Sequence, residues 1–568
     1  MVLFLQLIFI IPLLLEGIGF NGIHDTIYYL YFLFPSVLFF ISFLKRKKLY
    51  FPKRVTLLFS LFASSSFVST FGFSADVQRS FELTLFYISS FLIFIFFYNH
   101  KKDGEQIIDA SIIWGSVFFV TYFLILLTPI KTIPFLAEPI GGYQLVVSNF
   151  GSHNHLGDYL GLFIIFLIYQ AITKKIKVFG IFIVLVLPFF LLSYSRSSYN
   201  ALLLTGLYYG IVRRKNSIKG KKIPFVFGVM GIILLFFSVF TVRESRSIPI
   251  LKSTNDIFSS YLNLGYKELL SKRPEYIMQS IKSFYANSFF GVGPGNYGYA
   301  SSLHFSHPLW WSETSHNLFL DVLVENGLPA VICFALFIFF ILKSGRGTNL
   351  VYPLLFIYLL LVFQTDYTYR IYSLFILFMI LAGIIYKEEK EMDGSFVYGT
   401  TSLILHLALI LVITSRIFLH ADKPHLSVYA YPLSKQAYQS AIITEDRVGN
   451  NSGAFRLARM YEWVGSYDIR TLEFLGHFYE ENHNKEKALK LFEKANQMEG
   501  FSSFVTVKKI YLLKKEVSQE KKAKEFLESA FAKLKQQDTM SNLPDEIKTQ
   551  ITDFCKENET DICAKTGW

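Results

Sequence analysis

The chain has 568 residues, of which 52% are hydrophobic and 18% aromatic, and its mean hydropathy is +0.39. Only 17% of the residues are charged, so a soluble globular protein of this length is excluded and lipid is the expected solvent for most of the chain. The formal net charge is +12. In a membrane protein such an excess usually lies in cytoplasmic loops, so it does not indicate a nucleic-acid partner.

Apolar runs of membrane-spanning length recur along roughly the first 415 residues, beginning with Val2 to Phe20. Basic clusters divide these runs into pairs of crossings, and the positive-inside rule places each cluster in the cytoplasm. The pattern predicts about 13 spans. The clusters are Lys45–Lys48, Lys101–Lys102, Lys174–Lys177, Arg213–Lys222, Lys343–Arg346 and Lys387–Lys390.

This alternation predicts which segments share the far side of the membrane. Starting from a cytoplasmic N-terminus, it exports a large loop, residues 243–315, and the tail that follows Arg416. We therefore expect an all-α polytopic protein with a membrane domain, residues 1–415, and a C-terminal helical domain, residues 416–568. The loop and the tail then lie in one compartment.

The tail has a soluble helical composition with small and aromatic residues at interlocking offsets, which resembles a tetratricopeptide repeat. One repeat cannot bury its own face, and partial matches on both sides make a short solenoid plausible. An unrelated helical bundle stays open, because similar spacing arises in ordinary helix packing. Such a tail would bind a protein or glycan, or brace the membrane part. The pattern consists of Leu472, Leu475, Gly476, Tyr479, Ala488, Phe492 and Ala495.

Two tail cysteines, Cys555 and Cys563, are close enough in sequence to form a small disulfide loop if the tail is exported. The third cysteine, Cys333, lies inside an apolar run. The disulfide prediction thus depends on the predicted topology.

Arg196 is the most informative single residue, in the motif Ser195-Arg196-Ser197-Ser198. A helix that starts at Lys177 and rises about 1.5 Å per residue covers roughly 30 Å before Arg196, the thickness of the hydrocarbon layer. Arginine at that depth is not explained by the positive-inside rule and is a functional candidate. The alternative is that it snorkels to the interface or pairs locally.

His316 lies between Ser315 and Asn317, at the outer mouth of the apolar run that follows it and reaches Lys343. A near-neutral imidazole is suited to accept a proton from a sugar hydroxyl. We expect Glu313, Asp321 or Glu325 to orient the ring. The alternative is a structural histidine with satisfied hydrogen bonds.

The outer loop carries Arg273-Pro-Glu-Tyr276, an amphipathic stretch, and then Gly291-Val-Gly-Pro-Gly-Asn296. Guanidinium groups bind phosphate oxygens through two hydrogen bonds, so Arg273 could join Arg196 on a diphosphate. The alternative is a solvated loop charge. The glycine run lacks a preceding strand and is therefore predicted to be a tight turn, not a nucleotide loop.

Two further segments contain histidines. Asn154 and His155 lie at the outer end of another span, where they could line the same cavity or cap a helix. His304 and His307 with His316 suggest metal ligands, but neither an HExxH pattern nor a thiolate pair accompanies them, so we predict no metal site and no cofactor.

Taken together, the Ser-Arg-Ser motif, the loop with Arg-Pro-Glu-Tyr and Gly-Val-Gly-Pro-Gly-Asn, and the closing His-Asn-Leu-Phe-Leu resemble the O-antigen ligase and polymerase family, best over 149–329. Family members move glycans from undecaprenyl diphosphate to an acceptor at the periplasmic face of the bacterial inner membrane, by an inverting, metal-independent route. The resemblance implies that Arg196 and Arg273 hold the diphosphate and that His316 activates the acceptor hydroxyl.

The resemblance also implies the partners and the surrounding site. The partners are an undecaprenyl diphosphate-linked glycan, a lipid A-core or glycan acceptor and membrane lipid, with a protein partner for the C-terminal repeats as a further expectation. The loop and the tail are expected in the periplasm. The expected substrate-binding residues are Asn154, His155, Asn296, Asn317 and Glu325.

An exported repeat domain is not part of the common ligase core and resembles extensions of some polymerase-like or protein O-oligosaccharyltransferase relatives, which leaves the acceptor open. A transporter or flippase and an assembly scaffold are the alternatives from other classes. A transporter is expected to show broken spans and related halves, and we find no convincing internal duplication in the sequence.

Overall fold

We describe the protein from a computed structural model. The structure describes residues 21–126, 153–173, 177–193, 195–215, 273–287, 289–305, 311–344, 349–388, 391–499, 503–541, 545–557 and 562–563. The predicted first span, residues 2–20, lies outside these ranges, as does the first part of the predicted outer loop, up to residue 272.

The described residues form 21 α-helices and one short antiparallel ribbon. The all-helical prediction is thus confirmed, with the ribbon as a small addition. The ribbon pairs β1 (Tyr50–Pro52) with β2 (Glu391–Asp393). The first helices are α1 (Asn21–Leu44), α2 (Lys53–Gly72), α3 (Val77–Asn99), α4 (Lys101–Leu126), α5 (His153–Thr173), α6 (Lys177–Leu192) and α7 (Arg196–Lys215).

The middle of the chain adds the elements that surround the site. They are α8 (Arg273–Ala286), α9 (Tyr297–His304), α10 (Leu318–Ser344), α11 (Val351–Val362), a 3-10 turn (Tyr367–Arg370), α12 (Tyr372–Ile385) and α13 (Ser395–His420). The tail consists of α14 (Pro424–Ala430), α15 (Lys435–Arg447), α16 (Asn451–Val464), α17 (Ile469–Glu481), α18 (Lys485–Glu499), α19 (Phe504–Glu516), α20 (Glu520–Ser541) and α21 (Asp545–Glu557).

Within the described ranges, four helices are long and apolar enough to cross a membrane: α2, α3, α10 and α13. Helices α11 and α12 are apolar but shorter, and every residue of α12 from Ser373 to Ile385 is buried, so they lie inside the bundle. Together with the composition, these helices indicate a membrane protein. The count of about 13 spans stays a prediction, as does the periplasmic assignment of the loop.

The bundle has two ends with different chemistry. At one end, which we call the ribbon end, β1 and β2 pair, and residues of three basic clusters lie nearby: Lys45, Lys101 and Lys387. There Lys45 Nζ lies 2.7 Å from Asp103, and the guanidinium of Arg54 pairs with Glu388. At the other end, which we call the tail end, a short turn connects α2 to α3. The Asp76 side chain in this turn accepts the amide hydrogen of Arg79 at 3.0 Å and caps α3.

The tail packs on this second end of the bundle. The Tyr467 amide donates to the Ala75 carbonyl at 2.9 Å, and Lys435 Nζ lies 2.7 Å from Asp76 and 3.5 Å from Asp468. Burial opposes the charge on Lys435, but Asp76 and Asp468 outweigh it and raise the pKa of the ammonium. The joint therefore ties the tail to the turn before α3.

The tail is built from consecutive helices that pack on one another and bury two apolar cores. Leu472, Leu475 and Ala488 are fully buried, which fits interlocking helices. Its identity as a tetratricopeptide domain stays a prediction. Cys555 and Cys563 form a disulfide with a Cα–Cα distance of 5.8 Å, as their spacing allowed.

Candidate functional site

A buried carboxylate, Asp366, lies at the centre of the candidate site. It follows α11, caps the 3-10 turn by accepting the Tyr367 amide hydrogen at 2.8 Å, and is fully buried. Arg273 Nη2 and His316 Nδ1 each lie 3.5 Å from one of its oxygens. Burial opposes its charge, but His316, His155 and Arg273 outweigh that effect and lower the pKa of Asp366.

The imidazole of His316 is held between aromatic rings. It stacks on Tyr276 with a centroid distance of 5.3 Å and an interplanar angle of 9°. It also makes an edge-to-face contact with Tyr367, with ring centroids 4.9 Å apart. His155 meets the same Tyr367 ring at 4.5 Å. His316 adopts a left-handed backbone with a φ of 57°, which is uncommon for a residue with a side chain. Three separate segments thus position this ring beside Asp366.

Hydrogen bonds at the start of α10 explain how the sequence forms this turn. The Ser315 hydroxyl donates to the Asn317 carbonyl at 2.9 Å, and the Asn317 side chain caps α10 by accepting the Leu320 amide hydrogen at 3.0 Å. The Asn317 amide also donates to the Gln364 carbonyl at 3.1 Å. Asn317 therefore joins the turn that carries His316 to the loop that carries Asp366.

Arg196 is the first residue of α7, at the same end of the bundle, and its side chain is exposed. Its neighbours anchor the helix, since Ser198 and Ser197 donate to Asp158 at 2.5 and 3.3 Å. The other Asp158 oxygen accepts a hydrogen bond from Thr368, which is two residues beyond Asp366. The helix that begins with Arg196 is thus linked to the central turn through one buried carboxylate.

A second charge cluster lies next to this site and is more tightly closed. Arg370 lies 2.9 Å from Asp321 and also pairs with Glu325, and all three side chains are largely buried. Asp321 further accepts hydrogen bonds from Ser315 and Tyr369. This cluster fixes the 3-10 turn to the first turns of α10.

The acid beside His316 was not predicted correctly. The expected carboxylates were Glu313, Asp321 and Glu325, but Asp321 and Glu325 pair with Arg370 and Glu313 is exposed. Sequence reasoning missed Asp366, although a polar Gln-Thr-Asp-Tyr-Thr-Tyr-Arg segment between two apolar helices marks an acid at a membrane edge.

The predicted substrate-binding residues fall into two groups. His155 lies on the Tyr367 ring beside the central turn, with Asn154 half-buried next to it in α5, and Asn317 borders the same turn. Glu325 and Asn296 lie in the closed cluster and in the glycine turn, and both are buried. Asn296 donates to Ser80 and Ser74 at 2.8 and 3.0 Å. Their expected contact with substrate stays a prediction.

The glycine run forms the tight turn that its sequence predicts. Gly291, Gly293 and Gly295 all have positive φ, and the Gly293 amide donates to the Glu325 carbonyl at 2.9 Å. A Cβ on Gly293 would lie 2.5 Å from the hydroxyls of Ser74 and Ser80, so only glycine fits there.

The histidines weighed as metal ligands are only partly described. His304 ends α9, whereas His307 lies outside the described residues. Elsewhere in the described part of the chain, His, Cys, Asp and Glu form no group of three with the arrangement of a metal site.

A family model described as O-antigen ligase matches residues 181–335, just over a quarter of the chain. Over this stretch, the chain is similar to the O-antigen ligase family. The ligase match includes Arg196, Arg273 and His316, whereas it begins after Asn154 and His155. Neither a curated protein nor a solved structure has significant similarity to the chain.

The ligase match confirms the resemblance drawn from the motifs. At family level it supports glycan transfer of the O-antigen ligase type, for which a lipid-linked glycan and an acceptor are the general partners. It also agrees with the apolar helices in indicating a membrane protein. The match ends before α11, so Asp366 and its 3-10 turn lie beyond it.

Proposed function

We propose that the chain transfers a glycan from an undecaprenyl diphosphate carrier to an acceptor hydroxyl, as an inverting ligase or polymerase. The observation that carries the proposal is the meeting of Arg273 and His316 on the buried Asp366. A lipid diphosphate is already a good leaving group. Cationic groups for its charge and one base for the acceptor are therefore a sufficient set for displacement.

In this proposal His316 is the general base. Its Nδ1 faces Asp366 at 3.5 Å, which leaves Nε2 to take the proton of the acceptor hydroxyl. Asp366 keeps its charge because its pKa is lowered, so it stabilises the imidazolium that forms. The Tyr276 and Tyr367 rings fix the plane of the imidazole, so little rotational freedom of the ring is lost when it takes up the orientation needed for reaction.

The arginines hold the leaving group. As the acceptor oxygen bonds to the anomeric carbon, the bond from that carbon to the diphosphate oxygen breaks, and the electron pair leaves with the diphosphate. Arg273 remains 36% exposed beside Asp366, and Arg196 is exposed at the same end of the bundle. Guanidinium forks bind phosphate oxygens through paired hydrogen bonds and balance this charge.

We place the site on the periplasmic side of a bacterial inner membrane. The basic residues Lys45, Arg54 and Lys101 gather at the ribbon end, and the site lies at the other. The positive-inside rule then puts the ribbon end in the cytoplasm. The Cys555–Cys563 disulfide supports an oxidising compartment for the tail, which packs on the same end as the site.

We propose that residues 1–415 are the transferase and that residues 416–568 are a periplasmic tetratricopeptide-like domain. Helix α13 continues through His420, so the last span leads directly into the tail. The bond from Tyr467 to Ala75 and the pair of Lys435 with Asp76 support a bracing role for the tail. We also propose that the exposed surfaces of the tail bind a protein or a glycan.

The test is transfer by the purified full-length chain in vesicles that contain a lipid-linked glycan and candidate acceptors. His316→Ala is expected to lower the transfer rate at least about 100-fold, because general base catalysis contributes that much. His477→Ala changes an exposed tail histidine and serves as the matched control. Normal transfer by His316→Ala would overturn the proposed mechanism.

The cellular readout separates the competing functions. In cells, a gel ladder of surface glycan distinguishes a ligase from a polymerase, because loss of a polymerase leaves single-repeat glycan attached and loss of a ligase leaves all lengths on the carrier. A scaffold that acts through its tail would keep a normal ladder in the Arg196→Ala, Arg273→Ala and His316→Ala variants. Arg456→Ala, on the exposed surface of α16, is the control for the arginine changes.

A further inference from the structure

Helix α8 buries polar side chains and exposes apolar ones. The residues that it buries against the protein are Gln279, Ser280 and Ser283. In a helix on the surface of a soluble domain, the apolar face is buried and the polar face is wet. Four apolar or aromatic side chains of α8 are exposed instead: Ile277 (44%), Met278 (48%), Ile281 (39%) and Tyr285 (79%).

The buried polar side chains of α8 have partners in α9. The Ser301 hydroxyl donates to Gln279 at 2.8 Å, and Ser280 shares a hydrogen bond of 3.0 Å with the Tyr297 hydroxyl. Ser283 donates to the Ala300 carbonyl at 3.3 Å. Because these bonds fix the rotation of the helix, the apolar face is turned outward by the fold itself.

The segment that follows α8 connects its exposed end to the side of a membrane span. Phe289, 59% exposed, follows α8 and packs on Phe290, whose ring stacks on Phe73 at 5.0 Å. Phe73 is 52% exposed and directly follows α2, one of the four candidate spans. The exposed apolar residues of α2 extend this surface away from the site: Phe71, Val68, Leu61 and Leu57.

We infer that α8 lies in the membrane interface, with Ile277, Met278, Ile281 and Tyr285 among the acyl chains of the leaflet at the tail end. An apolar face of this size in water would be unfavourable, whereas an interfacial helix gains by burying it in lipid. Lys282 is exposed beside Ile281 and can extend its ammonium to the headgroup phosphates. The occupant of this surface is therefore bilayer lipid.

This position fixes the depth of the site. Arg273 begins α8 and Tyr276 follows within its first turn, so both move with the helix. An interfacial α8 holds Arg273 and His316 at the level of the headgroups, where the diphosphate of a lipid carrier lies. This consequence rests on the proposed function, but the position of α8 in lipid does not.

The test measures the depth of nitroxide labels on the full-length chain in phosphatidylcholine and phosphatidylglycerol vesicles. Labels are placed at Ile281→Cys and Tyr285→Cys in a Cys333→Ala background, and the tail disulfide stays intact. Electron paramagnetic resonance power saturation compares access to oxygen, which dissolves in lipid, with access to a water-soluble nickel chelate. Lys282→Cys on the same helix and Val505→Cys, 69% exposed in the tail, are the controls.

We expect labels at 281 and 285 to favour oxygen by several-fold, the label at 282 to be shallower, and the label at 505 to favour the chelate. Chelate access at both 281 and 285 would show a face in water and overturn the inference. Immobile labels closed to both reagents would show that protein covers the face, either a second copy or another part of this chain, and would overturn it too. No glycan is present, so the result is independent of the transferase proposal.

Discussion

Two clusters of charge lie side by side at the tail end of the bundle and differ in how tightly they are closed. In the first, Arg370 donates to both Asp321 and Glu325 and is 17% exposed. In the second, Arg273 and His316 approach Asp366 only to 3.5 Å, and Arg273 is 36% exposed. Both clusters combine a guanidinium with at least one carboxylate, and both include a residue of the 3-10 turn or its cap, Arg370 in the first and Asp366 in the second.

This difference separates a structural role from a chemical one at the same end of the bundle. A buried cation that donates to two carboxylates has its charge and hydrogen bonds committed within the protein, so it fixes the turn. A partly exposed cation with a looser contact keeps donors for a ligand. The Arg370 cluster therefore acts as a brace, whereas the Asp366 cluster keeps a partly exposed guanidinium, which we propose binds the substrate.

Loss of the Arg370 cluster is expected to destabilise the fold more than any other change considered below. Arg370→Met leaves Asp321 and Glu325 buried without their cation, which is expected to lower the free energy of unfolding by about 3–5 kcal/mol. Thermal unfolding of the purified chain in detergent measures the change. Arg273→Met, which removes a partly exposed contact, is the matched variant and is expected to shift the melting temperature much less. Equal shifts would remove the distinction between the two clusters.

The next effect sharpens the role of Asp366. Asp366→Asn keeps the shape of the side chain but removes the charge beside His316, so it is expected to lower kcat about 100-fold through misplacement of the base. KM for the lipid-linked glycan is expected to change little, and the melting temperature at neutral pH is expected to fall only by the small contribution that the Asp366 charge makes to stability. Asp422→Asn, at an exposed turn, is the control. A rise in KM with normal kcat would instead assign Asp366 to substrate binding.

A smaller effect tests the geometry of the arginine. Arg273→Lys keeps the charge but loses the planar fork, and a roughly tenfold lower transfer rate is expected, the size of one hydrogen bond to a charged group. The comparison is with Arg273→Met, which loses the charge as well and is expected to be slower. If the lysine and methionine variants transfer equally well, Arg273 does not hold the diphosphate.

The smallest effect concerns acid stability. Because the pKa of Asp366 is lowered in the folded chain, its contribution to stability is present above the ordinary aspartate pKa, about 3.9, and is lost as the pH falls through the lowered value. Between pH 7 and 5 the group adds no pH dependence. Melting temperatures from pH 6 to 3 are expected to fall more steeply in the wild type than in Asp366→Asn. Parallel curves would contradict the charged state assigned to Asp366.

Much of the site was predictable from short motifs. Arg196 and His316 stand out because charged or titratable side chains at the edge of an apolar run are costly unless they serve a purpose. Arg273 stands out because a guanidinium in the outer loop is suited to bind phosphate oxygens. The glycine turn was predictable as well, because Gly293 leaves no room for a Cβ. Local sequence is sufficient for these features, since each depends on a residue and its immediate neighbours.

The partner of His316 was not predictable in the same way. Asp321 and Glu325 are nearer in sequence and follow it within three helical turns, yet Asp366, fifty positions further along, lies beside the imidazole. The reason is that Arg370 and His316 compete for these carboxylates, and Arg370 pairs with both Asp321 and Glu325. Which acid pairs with which cation depends on distances between helices, and these distances cannot be read from the spacing of residues along one helix.

The amino-acid sequence alone indicates a helical membrane protein that resembles the O-antigen ligases, and it singles out Arg196, Arg273 and His316 as candidates. Composition and motifs carry that information because burial in lipid and the chemistry of single side chains act locally. The fold was needed to show that Asp366 joins Arg273 to His316, that Arg370 pairs with the other two acids, and that α8 turns its apolar face outward. Those outcomes arise from packing between distant segments, where each buried polar group must find its partner.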